Sequence, residues 1–144
     1  MRDTIITYSP TSKWALALNG DYVREQRPYG SPTNEVVDWW GGGGYAKYAS
    51  SDKNNVAVRY EYYGDPQGHT VFGGSPFAGI DPHDQEVTAT FMHMLASSLM
   101  TRLEYRYDFA SRPLFQKGAI PFDVKERQTV ALGMVYIFDS REAK

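Results

Sequence analysis

The sequence predicts an all-β protein: an antiparallel up-and-down transmembrane β-barrel, of which this chain supplies about seven strands. Three observations support this fold class. Apolar and polar residues alternate with a period of two in several segments, which is the pattern of a strand with two different faces. The links between these segments are short and long in turn. The chain also contains 11 Tyr, 13 Gly and no Cys, and it has no run of about 18 apolar residues that could form a transmembrane helix.

The two clearest predicted strands, residues 56–62 and 101–109, separate apolar from charged side chains. One face of each strand carries Val, Leu, Tyr or Phe. The other face carries the charges, namely Arg59 and Glu61 in the first strand and Arg102, Glu104, Arg106 and Asp108 in the second. A helix would scatter these charges around its whole surface, so the spacing favours a strand.

Five further segments follow the same rule with less contrast: residues 4–8, 14–22, 39–48, 87–95 and 129–138. The segment 39–48 contains four consecutive glycines at positions 41–44. These glycines lack the Lys-Ser/Thr pair of a phosphate-binding loop, whereas glycine in a strand permits bending or close packing. We therefore expect this segment to be a strand as well.

Aromatic residues cluster toward the ends of the predicted strands, where a membrane interface would favour them. The alternative is that they form the core of a soluble barrel. The residues concerned are Trp14, Trp39, Trp40, Tyr48, Tyr62, Tyr107, Tyr136 and Phe138.

Link lengths favour a membrane barrel over a soluble sandwich. Short links lie near residues 10–12, 51–53 and 96–98, and long links span 25–35, 64–84 and 110–126. Outer-membrane barrels have this arrangement, with tight turns at one end and longer loops at the other. Seven strands would place the first residue at the long-link end, so we expect further N-terminal strands and a signal segment to precede this sequence. Residues 1–144 are then a single β-barrel domain or the C-terminal part of one, with a short polar tail at 139–144.

Composition argues against several other classes of protein. The net charge is −2 and no block of Lys and Arg occurs, so we expect no nucleic-acid partner. The absence of Cys removes thiolate metal sites and Cys nucleophiles. The three histidines are too scattered for a metal site; a loop calcium site at Asp81, His83 and Asp84 is conceivable, but a solvated loop is favoured. We expect no enzyme activity, no cofactor and no metal.

Four segments carry a family resemblance: residues 17–22 (ALNGDY), 59–65 (RYEYYGD), 102–108 (RLEYRYD) and 132–138 (LGMVYIF). Over roughly residues 13–138 the chain resembles the β-barrel porins of Gram-negative outer membranes. The resemblance implies passive diffusion of small polar solutes or ions, contact with outer-membrane lipid, and a possible homo-oligomer. Chains of that family usually end on the terminal aromatic residue that the assembly machinery reads, whereas here residues 139–144 follow Phe138.

The candidate pore-lining residues are the charged positions of the two clearest strands together with one lysine: Lys47, Arg59, Glu61, Arg102, Glu104, Arg106 and Asp108. Asp21 and Lys47 are expected to lie near the other charged positions in register. Mixed charges on the walls of a water-filled pore create a transverse field that filters polar solutes. The alternative is that these residues only solvate an interior and pair with one another. Two other functions stay open: a soluble, lipocalin-like ligand-binding barrel, and a structural or adhesive outer-membrane barrel.

Overall fold

The structure, a computed structural model, describes residues 1–26, 36–68 and 83–138. Nine strands occur in these ranges. They are β1 (Arg2–Thr11), β2 (Trp14–Gln26), β3 (Val36–Ala49), β4 (Asn54–Gly64), β5 (His83–Ala96), β6 (Leu99–Ala110), β7 (Phe115–Lys117), β8 (Ile120–Val124) and β9 (Glu126–Tyr136). Among the described residues, no helix has the length and apolarity needed to cross a membrane.

Seven of the strands form one antiparallel sheet in the order β1-β2-β3-β4-β5-β6-β9. Each strand pairs with its neighbour in the chain, apart from the β7–β8 hairpin that is inserted between β6 and β9. This is the up-and-down arrangement that the sequence predicts. Within the described residues β1 and β9 do not pair with each other, so the sheet is open, as expected of part of a barrel.

The connections between strands are short and long in turn, as the sequence predicts. The β1–β2, β3–β4 and β5–β6 connections are short turns at one end of the sheet, which we call the turn end. The other three connections leave from the opposite end, the long-link end. Residues 27–35 and 69–82 of two long links lie outside the described residues.

The third long link, residues 110–126, contains two strands beyond the seven that the sequence predicts. Most of it forms the β7–β8 hairpin, whose turn uses Gly118 at a φ of 70°. Glycine adopts this conformation without the steric cost that a Cβ would bring. The other strands run longer than predicted, except that the last one ends at Tyr136 instead of Phe138.

Strand register decides which side chains share a face, because residues directly opposite each other on paired strands point the same way. One row across the sheet contains Thr7, Ala17, Tyr45, Arg59, Thr88, Arg106 and Thr129. Two positions nearer the long-link end, a second row contains Ile5, Asn19, Gly43, Glu61, Glu86, Asp108 and Arg127. We call the side that carries these two rows the charged face and the opposite side the apolar face.

The apolar face is not a core. Leu18, Val58 and Leu103 lie on it with 59%, 47% and 49% of their surface exposed. Of the described apolar side chains, only Val37 and Phe115 are buried. The sheet therefore presents a broad hydrophobic surface outward, whereas its buried side chains include Glu86, Thr88 and Asp108 of the charged face.

The aromatic residues divide between the faces. Trp40 stacks on Tyr62 with ring centroids 4.9 Å apart, and Trp14 contacts Tyr48 at 4.8 Å, both pairs near strand ends on the apolar face. Trp39 departs from the predicted set, because its register places it on the charged face. It contacts Tyr63 there with centroids 6.0 Å apart.

Candidate pore wall

The charged face is concave. A cavity of about 440 Å³ lies against it and is lined by residues from β1 through β6, among them Thr7 on β1 and Arg102 on β6. On a flat sheet five strand spacings would separate these two strands by about 24 Å. That residues of β1 and β6 line one cavity indicates that the sheet curves toward the charged face, and the burial of Glu86, Thr88 and Asp108 on this face agrees with that curvature.

Glu86 on β5 joins the charges of β4 and β6. Arg59 Nε donates a hydrogen bond of 3.0 Å to Glu86 Oε1, and the Arg106 guanidinium lies 2.9 Å from Glu86 Oε2. The Thr88 hydroxyl also donates to Glu86 Oε1. Glu86 is only 6% exposed, so its charge depends on these two arginines for compensation.

Asp108 on β6 makes the second such junction. Arg106 Nε donates to Asp108 Oδ1 at 2.8 Å, and Arg127 Nε from β9 donates to Asp108 Oδ2 at 3.2 Å. Asp108 is fully buried. Arg127 also lies over the ring of Phe115, 4.9 Å from its centroid, and this contact joins the β7–β8 hairpin to the charged face.

Two smaller sets of contacts flank these junctions. Glu61 accepts a hydrogen bond of 2.6 Å from the Tyr45 hydroxyl and lies 3.5 Å from Arg59 Nε. Nearer the turn end, Arg102 pairs with Glu104, which also accepts a 3.0 Å bond from the Thr90 hydroxyl. The pairs therefore form between neighbouring side chains along one wall.

Gly43 provides the room for part of this arrangement. A Cβ at this position would lie 2.7 Å from Asn19 Oδ1 and 3.1 Å from the Tyr45 hydroxyl. One of the four consecutive glycines thus makes space for polar side chains on the charged face, which agrees with close packing and not with a phosphate-binding loop.

The structure brings all seven candidate pore-lining residues to the charged face. Six of them pair with charged neighbours, as the alternative interpretation of the sequence proposed. Lys47 differs: among the described residues it makes no ion pair. Its row partners are Ala15 and Ala57, and Asp21, also on the charged face, pairs with Gly41 in the row beyond that of Glu61.

Glu86 and Arg127, which complete the two junctions, are absent from the residues that the sequence pattern predicts to line the pore. Both stand just outside the predicted strands 87–95 and 129–138. Each has the parity of the polar positions in its own strand, so extending the alternation toward the long-link end would have found them.

The calcium site considered for one loop has no support in the part of the chain that the structure describes. His83 and Asp84 belong to β5, and Asp81 lies outside the described residues. No group of three or more His, Asp or Glu side chains in the described ranges could hold a metal ion.

A curved antiparallel up-and-down sheet with an apolar outer face and a charged concave face defines this chain as part of a β-barrel wall. Over residues 1–138 it matches the family described as "Putative beta-barrel porin-2, OmpL-like", and it belongs to that family. No curated protein and no solved structure matches the chain.

Proposed function

We propose that this protein forms an outer-membrane channel through which small polar solutes diffuse passively. One observation carries the proposal: in the middle of the sheet the charged side chains, such as Arg59, Glu86 and Arg106, lie on the concave face, whereas exposed apolar side chains cover the other face. Membership of a β-barrel porin family supports the same function.

The physical argument concerns what each face can contact. The apolar face exposes Ile6, Leu18, Val58, Phe91 and Leu103, a surface that water disfavours and that acyl chains accommodate. A charge in the middle of a lipid-facing strand would cost about 2–4 kcal/mol. The concave face gives its arginines and carboxylates ion-pair partners, and a water-filled lumen would solvate their remaining polar atoms.

A lipocalin-like barrel would need the reverse arrangement, with Val58 and Tyr60 inside around an apolar ligand. Their exposure on the convex side and the charges on the concave side argue against it. A structural or adhesive barrel would share the same wall, and only a missing pore would distinguish it from a channel.

The test is conductance of the full-length native protein, reconstituted into planar lipid bilayers. We expect discrete conductance steps in potassium chloride, and swelling of liposomes that contain the protein when a small sugar is added. A correctly folded protein that conducts no ions and passes no sugar would contradict the channel and favour the structural or adhesive function.

A further inference from the structure

We infer that the cavity around Lys47 is a binding subsite for a small organic monoanion, such as a monocarboxylate, on the wall of the proposed channel. The inference rests on the proposed function, since it assigns a solute class to the same wall. It starts from the contrast between Lys47 and the other charged side chains of the concave face.

Lys47 is exposed, and within the described ranges no carboxylate pairs with it. On its row across the sheet it lies between Ala15 and Ala57, and the next residue beyond Ala57 is Thr90. The first acid on that row is Glu104 on β6, three strands away from β3. Glu104 is already paired with Arg102, so the ammonium group of Lys47 is left available to a solute.

The cavity that Lys47 lines is cationic. Of the described charged residues that line it, Arg59 and Arg102 are held by carboxylates and Glu104 by Arg102, so Lys47 supplies the uncompensated positive charge. The carboxylates that hold Arg59, which are Glu61 and Glu86, do not line it. An anion in this space would be attracted without meeting a facing carboxylate that is itself unpaired.

The uncharged lining indicates an organic anion. Ala15, Ala17, Ala57 and Met92 supply apolar surface, and Thr7 and Ser9 supply hydroxyl groups. A volume of about 440 Å³ is within the range of small-molecule pockets. A carboxylate can contact the Lys47 ammonium while its carbon skeleton packs against the alanines, which have short side chains and leave that space open.

The acidic part of the charged face lies elsewhere. Asp3, Asp21 and Asp84 share one row near the long-link end of their strands. Glu86 and Asp108 are compensated by arginines, as described above. These three acids thus lie toward the long-link end of the charged face, whereas Lys47 lies toward its turn end.

The experiment measures binding of benzoate to the full-length protein folded in detergent, by isothermal titration calorimetry, with benzamide as the uncharged analogue. Lys47→Gln is compared with Lys53→Gln, an identical change of charge in the exposed β3–β4 turn. We expect Lys47→Gln to weaken benzoate binding about tenfold or more, the effect of losing one charge-assisted contact. Lys53→Gln should leave binding unchanged, Lys47→Arg should retain most of it, and benzamide should bind more weakly than benzoate to the unmodified protein.

Three results would overturn the subsite: no benzoate binding, equal affinity in the two Gln variants, or equal affinity for benzoate and benzamide. Bilayer recordings test the channel separately from the subsite. If the protein conducts ions but shows any of these binding results, the channel is supported and the subsite is contradicted. If it binds benzoate through Lys47 but does not conduct, only the channel is contradicted.

Discussion

Two buried carboxylates on the charged face each contact two guanidinium groups. Arg106 is common to both, since it contacts Glu86 and Asp108. Alternation alone would make Arg106 look like one of several interchangeable charges facing water. Its contacts indicate instead that removing it takes one charged hydrogen-bond donor from Glu86 and one from Asp108. Because both carboxylates are buried, this loss lowers the stability of the folded protein.

We expect Arg106→Ala to lower the free energy of unfolding by about 1–3 kcal/mol. The measurement is urea unfolding of the protein folded in lipid vesicles, followed by tryptophan fluorescence. Arg102→Ala is the matched control: this arginine pairs with Glu104, both side chains are partly exposed, and exposed pairs contribute about 0–1 kcal/mol. Equal losses in the two variants would show that the Arg106 junction has no special role.

A second residue-scale prediction concerns the end of β4. Gly64 lies under the indole of Trp40, and a Cβ there would come within 2.9 Å of Trp40 Cε2. Gly64→Ala must displace this ring from its stack on Tyr62, and overpacking of this kind costs about 1–3 kcal/mol. Gly20→Ala is the control, because a Cβ at Gly20 meets nothing within 4 Å. Urea unfolding of the two variants compares them, and a shift in Trp emission should accompany only Gly64→Ala; equal stability would contradict the contact.

At the scale of elements, the strands were predictable and their ends were not. A two-residue period is a local signal, and it is strongest in β4 and β6, where charges alternate with Tyr and Val or Leu. The β7–β8 hairpin escaped detection because β7 spans only Phe115–Lys117, too short to show a period beside Pro113 and Gly118. Glu86 was missed for a related reason, since the start of β5 is a boundary that alternation does not mark.

The two faces of one pair of strands give an element-scale test. Ala89 on β5 lies on the apolar face, where it pairs with Val58 of β4. Ala57 on β4 lies on the charged face, where it pairs with Thr90 of β5. The two alanines therefore stand in adjacent rows of the same two strands. Ala89→Arg should lower the yield of folded protein in vesicles, because a lipid-facing charge costs about 2–4 kcal/mol near the midplane. Ala57→Arg should fold in near-normal yield, since an arginine on that side would meet the water of the lumen. Heat-modifiable migration in gels measures the folded fraction, and a greater loss for Ala57→Arg would mean that the faces are assigned the wrong way round.

For the whole molecule, the order of short and long links could be predicted from the sequence, but the contacts between charged side chains could not. Which face a residue takes follows from its parity within one strand, so the seven candidate residues could be found locally. Which partner it meets depends on the register between strands, which single-strand alternation leaves undetermined. For that reason the link from Arg59 through Glu86 to Arg106, and the isolation of Lys47 between two alanines, emerge only when the strands are aligned in the sheet.

Orientation in the membrane is the last prediction, and it concerns the two ends of the sheet. Outer-membrane barrels place short turns in the periplasm and longer loops outside, so the β3–β4 turn should face inward and the link between β6 and the hairpin outward. The chain has no Cys, which allows one label site at a time. Asp52→Cys and Arg112→Cys both replace exposed residues, one at each end. With an impermeant maleimide on intact cells, Arg112→Cys should react, and Asp52→Cys should react only after the outer membrane is opened. Labelling of Asp52→Cys alone on intact cells would reverse the orientation, and protection of both sites until lysis would place the protein elsewhere than the cell surface.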